Sequence, residues 1–157
     1  MQKDIRILFH NIRSAHNVGS MFRTADALGV SRIYLSGYSP LPLDRFGRPV
    51  KEIAKTALGA EHSVLWEKIS SPPRLIKKLK REGFEIVAIE QGERAVDYKK
   101  FLAKGKVLIL VGNEVRGVSK SLRDQCDVLL DIPMRGKKES LNVSVAFGVV
   151  LFRVFDE

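Results

Sequence analysis

Short apolar runs alternate with helical patterns along the chain, and this alternation limits the possible folds more than any other feature. The run at residues 107–111, Val-Leu-Ile-Leu-Val, is continuous and rich in β-branched residues, which is typical of a strand buried on both faces of a parallel sheet. Five more strand-like runs occur at residues 5–9, 32–35, 64–66, 85–89 and 128–132. A first helical pattern begins at residue 14 or 17 and ends at residue 28. Others follow at residues 51–58, 72–82 and 119–125, and a last one comes after the final strand, at residues 142–155. The sequence therefore predicts an α/β fold with a mostly parallel six-stranded sheet and helices on both faces.

Length and charge narrow the class of protein further. The 157 residues suit a single domain with a proper core, and the net charge of +9 favours a polyanionic partner such as nucleic acid. No apolar run approaches the roughly 18 residues that a membrane span needs, so no membrane association is expected. The single cysteine, Cys126, excludes an internal disulfide and is expected to be buried and inert, which fits a reducing cytoplasm.

Several common site types are absent from the sequence. There is no Gly-x-Gly-x-x-Gly fingerprint for a dinucleotide. Gly112 and Gly117 have the spacing of a phosphate-binding loop, but Val118 stands where that motif requires lysine. The three histidines show no metal-ligand spacing and no acidic cluster joins them, so no metal site is predicted.

Three polar clusters each follow a predicted strand, at residues 11–23, 112–117 and 132–146. Ligands of open α/β sheets bind beyond the carboxyl ends of the strands, so the clusters predict one composite site. Gly112 lets a ligand approach the backbone closely, and amides near Ile132 and Met134 suit an adenine ring. Ser140 and Asn142 stand at a helix start, where their side chains either cap the helix or contact a ligand.

Two charged residues in these clusters have a structural and a functional interpretation. Arg23 lies on the predicted first helix, and either a surface salt bridge or a role in the site accounts for it. Glu114 follows a turn of small residues and is expected to pair with an arginine, for which Arg13, Arg116 and Arg135 are the candidates.

Together the three clusters resemble the motifs of the SpoU (TrmH) family of SPOUT RNA methyltransferases. Residues 17–26, Asn-Val-Gly-Ser-Met-Phe-Arg-Thr-Ala-Asp, resemble motif 1, and residues 111–119 resemble motif 2. Residues 132–146, Ile-Pro-Met-Arg-Gly-Lys-Lys-Glu-Ser-Leu-Asn-Val-Ser-Val-Ala, resemble motif 3, in the family's order. The resemblance implies an α/β knot with a deep C-terminal trefoil, S-adenosylmethionine as methyl donor, a ribose 2′-hydroxyl of tRNA or rRNA as acceptor, and a homodimer. Residues 1–157 would then be one catalytic domain without a separate RNA-binding domain.

The resemblance also assigns residues to roles. The expected catalytic residues are Asn17, Arg23, Glu114, Ser140 and Asn142. The residues expected to bind the donor are Ile89, Glu90, Gly112, Asn113, Ile132, Met134, Ser140 and Leu141. If RNA binds the catalytic body itself, basic side chains along the chain are the candidate contacts, namely Arg13, Arg45, Arg48, Lys55, Arg116 and Lys137. Residues 43–49 alternate an aromatic side chain with arginines, which suits a base-stacking or phosphate contact.

Two other functions fit the same fold. One is a catalytically silent protein that binds RNA or assists ribosome assembly, which should have lost some of the expected catalytic residues. The other is a methyltransferase that acts on a base nitrogen, against which the type of motif 1 present here argues. The sequence does not indicate which RNA, or which nucleotide, is the substrate.

Overall fold

The computed structural model describes residues 3–155 and contains one parallel sheet. Its strands are β1 (Asp4–His10), β2 (Arg32–Ser36), β3 (Trp66–Lys68), β4 (Glu85–Ile89), β5 (Val96–Asp97), β6 (Lys106–Val111) and β7 (Val128–Asp131). Their order across the sheet is β3-β2-β1-β6-β4-β7-β5, and every pairing between neighbouring strands is parallel. The predicted parallel α/β fold is confirmed.

The predicted count of six strands is wrong, because β5 adds a seventh at the sheet edge. This strand has two residues and pairs with β7 through Val96 and Asp97. Two residues are too few to produce a detectable apolar alternation. The strand predicted at residues 64–66 is also displaced, since Val64 ends a short helix and β3 begins at Trp66.

Besides a 3-10 turn at Tyr98–Lys100, residues 3–155 contain six α-helices, which cover both faces of the sheet, as predicted. They are α1 (Ala15–Leu28), α2 (Lys51–Ala57), α3 (Ala60–Ser63), α4 (Pro72–Arg81), α5 (Lys120–Arg123) and α6 (Val143–Phe155). The side chains of β1 alternate between the faces: Ile7 and Phe9 pack with α1, α2 and α6, whereas Leu8 packs with α4 and α5. The short helix α3 was not predicted.

Local capping explains where α1 begins and ends. The Ser14 hydroxyl accepts a hydrogen bond from the Asn17 N–H at 3.2 Å, so Ser14 rather than Asn17 is the N-cap. Gly29 ends the helix in the left-handed conformation, with φ of 78°. Asn17 therefore lies in the first turn of α1, where its side chain is available for other contacts.

The strand order brings the polar clusters together. Strand β6 lies between β1 and β4, and β7 lies on the far side of β4. The carboxyl ends of β1, β6, β4 and β7 are therefore neighbours along one edge of the sheet. No helix within residues 3–155 is long and apolar enough to cross a membrane.

Candidate functional site

A cavity of about 350 Å³ opens at the carboxyl edge of the sheet. The segments that follow β4, β6 and β7 line it together with the start of α6. Its lining includes every residue predicted to bind the donor, namely Ile89, Glu90, Gly112, Asn113, Ile132, Met134, Ser140 and Leu141. Residues from three separate parts of the sequence thus meet in one cavity.

The Glu114 carboxylate joins the second cluster to the first. Its Oε2 accepts the Arg13 N–H at 2.9 Å, and its Oε1 accepts the Ser14 N–H at 3.0 Å. Oε1 also accepts the Asn17 side-chain amide at 3.2 Å. Burial alone would raise the pKa of Glu114, but the hydrogen bonds from the Arg13 and Ser14 backbone and from Asn17 outweigh it, and the pKa is lowered.

The predicted partner of Glu114 is therefore wrong. In the described part of the chain the carboxylate pairs with backbone N–H groups and an amide, and with no guanidinium group. Backbone N–H groups at the start of α1 are favourable partners for an anion, because they lack intrahelical acceptors and the helix dipole is positive there. Glu114 thereby fixes the segment that leads from β1 into α1.

Asn142 joins the third cluster to the same point. Its Nδ2 lies 3.5 Å from the Asn17 Oδ1, at the outer limit of a hydrogen bond. Its Oδ1 accepts the Ser144 N–H at 2.9 Å and the Val145 N–H at 3.4 Å. Asn142 thus caps α6, as one of the two interpretations from sequence expected, and it also contacts the first cluster; its contact with a ligand stays a prediction.

Gly112 is required for a second reason, which the sequence did not indicate. A Cβ atom at this position would lie 2.5 Å from the backbone carbon and oxygen of Gly117 and 2.7 Å from the Val118 nitrogen. The two ends of the loop, residues 112–118, therefore approach each other as closely as their backbones allow. The Gly117 N–H closes the loop by donating to the Asn113 carbonyl oxygen at 2.8 Å.

The side chains of Asn113 and Glu90 stabilise this loop from within the cavity. The Asn113 Oδ1 accepts the N–H groups of Val115 and Arg116 at 2.9 and 2.8 Å. The Glu90 Oε2 accepts the Val118 N–H at 2.7 Å. These two predicted donor-binding residues line the cavity, and they also hold its wall in shape.

Two residues that line or border the cavity were missed from sequence. Gln91 donates its side-chain amide to the Glu139 carbonyl oxygen at 2.7 Å and so ties the end of β4 to motif 3. Its position directly after a predicted strand was a usable signal. Tyr38 accepts a hydrogen bond from the Asn113 Nδ2 at 3.0 Å, and no pattern in its proline-rich loop indicated this contact.

Arg23 is not brought into the cavity. It lies on the exposed surface of α1, and the cavity is lined by other residues. The predicted RNA contacts Arg13, Arg45, Arg48, Lys55, Arg116 and Lys137 are all exposed. Among them, Arg116 lines the cavity, and Arg13 is next to it through its N–H bond to Glu114.

The chemistry of the cavity suits an organic ligand. Ile89, Ile132 and Leu141 provide apolar walls, and the loop carries a few fixed polar groups, a combination typical of nucleoside pockets. Its volume lies in the usual range for small-molecule sites, roughly 300–1,000 Å³. Within residues 3–155 no three metal-ligating side chains lie close enough together to hold an ion.

Comparison with known proteins gives a consistent result. Residues 4–152 match the SpoU rRNA Methylase family. The tRNA (guanosine(18)-2'-O)-methyltransferase of Aquifex aeolicus is 33% identical over 151 residues, which cover 96% of this chain and 68% of that enzyme. A putative TrmH family tRNA/rRNA methyltransferase of Staphylococcus haemolyticus is 31% identical over 149 residues, which cover 95% of this chain and 57% of that protein.

A solved structure is similar over the same region. The AdoMet-bound rRNA methyltransferase from Sinorhizobium meliloti superposes with a TM-score of 0.85 at 27% identity, covering 98% of this chain and 56% of that one. The chain thus spans between about half and two thirds of the length of these relatives. The match of the family to nearly the whole sheet and to all three polar clusters establishes that this chain belongs to the SpoU rRNA methylase family.

Proposed function

We propose that this chain transfers a methyl group from S-adenosylmethionine to a ribose 2′-hydroxyl of tRNA or rRNA. The observation that carries the proposal is a cavity lined by motifs 2 and 3, to which Asn17 of motif 1 is joined by contacts with Glu114 and Asn142. The AdoMet-bound relative and the 2'-O-methyltransferase of Aquifex aeolicus support the donor and the ribose acceptor. Relatives named for tRNA and for rRNA are similarly close, so the proposal covers both RNAs.

The cavity residues define how the donor would be held. Ile89, Ile132 and Leu141 would enclose the adenine, and the backbone of Gly112 and Met134 would provide fixed hydrogen-bonding groups. The donor supplies an electrophilic methyl group when it is bound. The chain's own task is to orient the ribose hydroxyl toward that methyl and to help the hydroxyl lose its proton.

Arg23 is proposed to act on the RNA. A guanidinium stays protonated at physiological pH, so it does not serve as a free base. Its position on the exposed surface of α1 suits a clamp on the phosphate next to the target ribose, where a phosphate oxygen takes the proton. Asn17, Glu114 and Asn142 form a hydrogen-bonded group at the start of the same helix, with Ser140 on the cavity wall.

A homodimer is part of the proposal. Val145, Val149 and Phe152 lie on one face of α6 and are 50%, 37% and 42% exposed, while the opposite face packs into the core. A helix that is apolar on all sides is normally covered on all sides. A second copy of this chain, which the family resemblance implies, would cover the exposed face next to the site.

The remaining predictions extend the same proposal. Residues 1–157 would act as a catalytic domain that binds RNA with its own surface, in a reducing cytoplasm. The exposed Arg116 lines the cavity and Arg13 borders it, and the charge of +9 favours a polyanion. The trefoil knot stays a prediction from the family resemblance.

The test is transfer of labelled methyl from S-adenosylmethionine into unmodified tRNA and rRNA, followed by alkaline hydrolysis. A 2′-O-methyl group blocks attack on the neighbouring phosphate, so ribose methylation leaves the label in alkali-resistant dinucleotides. Label in mononucleotides would mean base methylation. No label in either RNA, with the donor bound, would favour the silent RNA-binding protein.

Arg23→Lys separates the clamp from donor binding. A lysine keeps the charge but loses the forked geometry that grips a phosphate. We expect at least a tenfold lower rate of transfer with unchanged affinity for S-adenosylmethionine, whereas Arg81→Lys on the exposed surface of α4 should change neither. An equal loss of donor affinity in Arg23→Lys would contradict the clamp.

A further inference from the structure

The segment that follows β2 contains a tightly hydrogen-bonded turn, residues 43–49. Leu43 and Pro49 form an antiparallel bridge across it. The Asp44 N–H donates to the Arg48 carbonyl oxygen at 2.8 Å. The Asp44 carboxylate accepts the N–H groups of Phe46 and Arg48 at 2.8 and 3.0 Å, and it accepts the Arg48 Nε at 3.1 Å. The 43–49 turn is thus held in one shape before any ligand arrives.

This turn displays an aromatic ring instead of burying it. Phe46 is 65% exposed. The guanidinium carbons of Arg45 and Arg48 lie 4.7 and 4.9 Å from the centre of its ring, within the range of cation–π contacts. A phenylalanine ring left in water forgoes the free energy of burial, and neither core cluster of residues 3–155 includes Phe46. Phe46 is thus an exposed aromatic ring with two positively charged side chains beside it.

The position of the 43–49 turn relates it to the cavity. Strand β2 is separated from β6 by β1 alone, so their carboxyl ends are about 10 Å apart. Tyr38 lies between β2 and the turn, and its hydroxyl accepts a hydrogen bond from the cavity residue Asn113. The segment that leaves the carboxyl end of β2 therefore contacts the cavity wall through Tyr38 and then forms the 43–49 turn.

From these observations we infer that the 43–49 turn binds an unpaired nucleotide of the RNA substrate. The base stacks on the Phe46 ring and on the guanidinium planes, and Arg45 and Arg48 contact the flanking phosphates. This inference rests on the proposed function, because it takes RNA as the substrate. An unpaired base is required because a base inside a duplex has both faces covered by its neighbours.

The test measures binding of the full chain to a labelled single-stranded RNA and to a blunt duplex of the same sequence. Phe46→Ala should weaken binding of the single strand roughly tenfold and leave the duplex unchanged. Phe46→Trp should restore the affinity, since indole also stacks on bases. Leu102→Ala is the matched control, because Leu102 is similarly exposed, at 68%, and lies away from the cavity.

Salt dependence distinguishes stacking from charge. Phe46→Ala should leave the slope of log K against log salt unchanged, whereas Arg45→Gln should reduce its magnitude by about 0.7. Equal single-strand affinity of wild type and Phe46→Ala would overturn the inference, as would an equal loss on the duplex. A shift of Phe46→Ala to a smaller oligomer in sedimentation would mean that the ring contacts protein, and would also overturn it.

The failures of this inference and of the proposed function are distinguishable. If no methyl is transferred but single-strand binding still depends on Phe46, the methyltransferase proposal fails and the stacking inference stands. If methyl is transferred and binding is indifferent to Phe46, the stacking inference fails alone. A wild-type chain that binds neither RNA overturns both.

Discussion

Replacing Glu114 by glutamine tests the hydrogen bonding that unites the site. The substitution keeps the shape of the side chain but removes its charge and turns one acceptor oxygen into a donor. The carboxylate accepts the N–H groups of Arg13 and Ser14 and the Asn17 amide, so at least one bond is lost and two donors face each other. Hydrogen bonds to a charged group contribute about 1.5–3 kcal/mol each. We expect the free energy of unfolding to fall by about 2–3 kcal/mol at neutral pH.

The effect of Glu114→Gln depends on pH in a defined direction. The pKa of Glu114 is lowered from its ordinary value of 4.5, so its contribution to stability is complete above that pH. The contribution is lost as the pH falls through the lower pKa of the folded state, because both states are then protonated. The gap between wild type and Glu114→Gln should therefore be constant above pH 4.5 and narrow below it.

Urea unfolding followed by circular dichroism measures this gap at a fixed protein concentration, since dimerisation would make stability depend on concentration. Glu93→Gln is the control, because Glu93 is exposed and its substitution should cost less than about 0.5 kcal/mol. Two results would refute the reasoning: Glu114→Gln as stable as Glu93→Gln at neutral pH, or a gap that stays the same well below pH 4.5.

Three further predictions follow from the packing. Gly19→Ala should lower the free energy of unfolding by about 1–3 kcal/mol, because its Cβ would lie 2.0 Å from the Thr56 Oγ1 between α1 and α2. Gly136→Ala should leave the urea midpoint almost unchanged, because no atom lies within 4 Å of the Cβ atom that it would add. Asn142→Ala removes the cap of α6 and should cost about 1 kcal/mol in the same assay. Burial raises the pKa of Cys126 to about 11, so iodoacetamide should label the thiol only in denaturant, as mass spectrometry would detect.

The central part of the fold could be predicted from sequence because its signals are long. The run at residues 107–111 is β6, which is buried and lies in the middle of the sheet, and α4 begins with two prolines and ends before Gly83. The elements that were missed are β5, with two residues, and α3, with four. Each spans only about one period of the pattern that would identify it, so no repeat is visible, and contacts with β7 and α1 stabilise these elements instead.

The location of the site was more predictable than its internal contacts. Three polar clusters at the ends of parallel strands were expected to meet, and contacts of Glu114 and Asn142 with residues 13–17 join them. The partner of Glu114 was predicted wrongly because a sequence shows which residues carry opposite charges. It does not show that the N–H groups of Arg13 and Ser14 have no acceptor within α1, since that depends on where the helix begins. The sequence indicated that position 112 needs a glycine, but it did not indicate that a Cβ atom there would clash with the backbone of Gly117.

The hydrogen bonds of the site also determine which substitutions can test a catalytic role. Glu114, Asn17 and Asn142 hold the clusters together. Replacing any of them changes the shape of the site in addition to removing a side chain that could act on the substrate. A drop in activity in those variants therefore does not identify a catalytic role. Arg23 differs, because its side chain makes no hydrogen bond or ion pair within residues 3–155 and lies exposed on α1. A loss of methyl transfer in Arg23→Lys at unchanged stability would thus reflect contact with the RNA or with the second copy of the chain, and not a change in the fold.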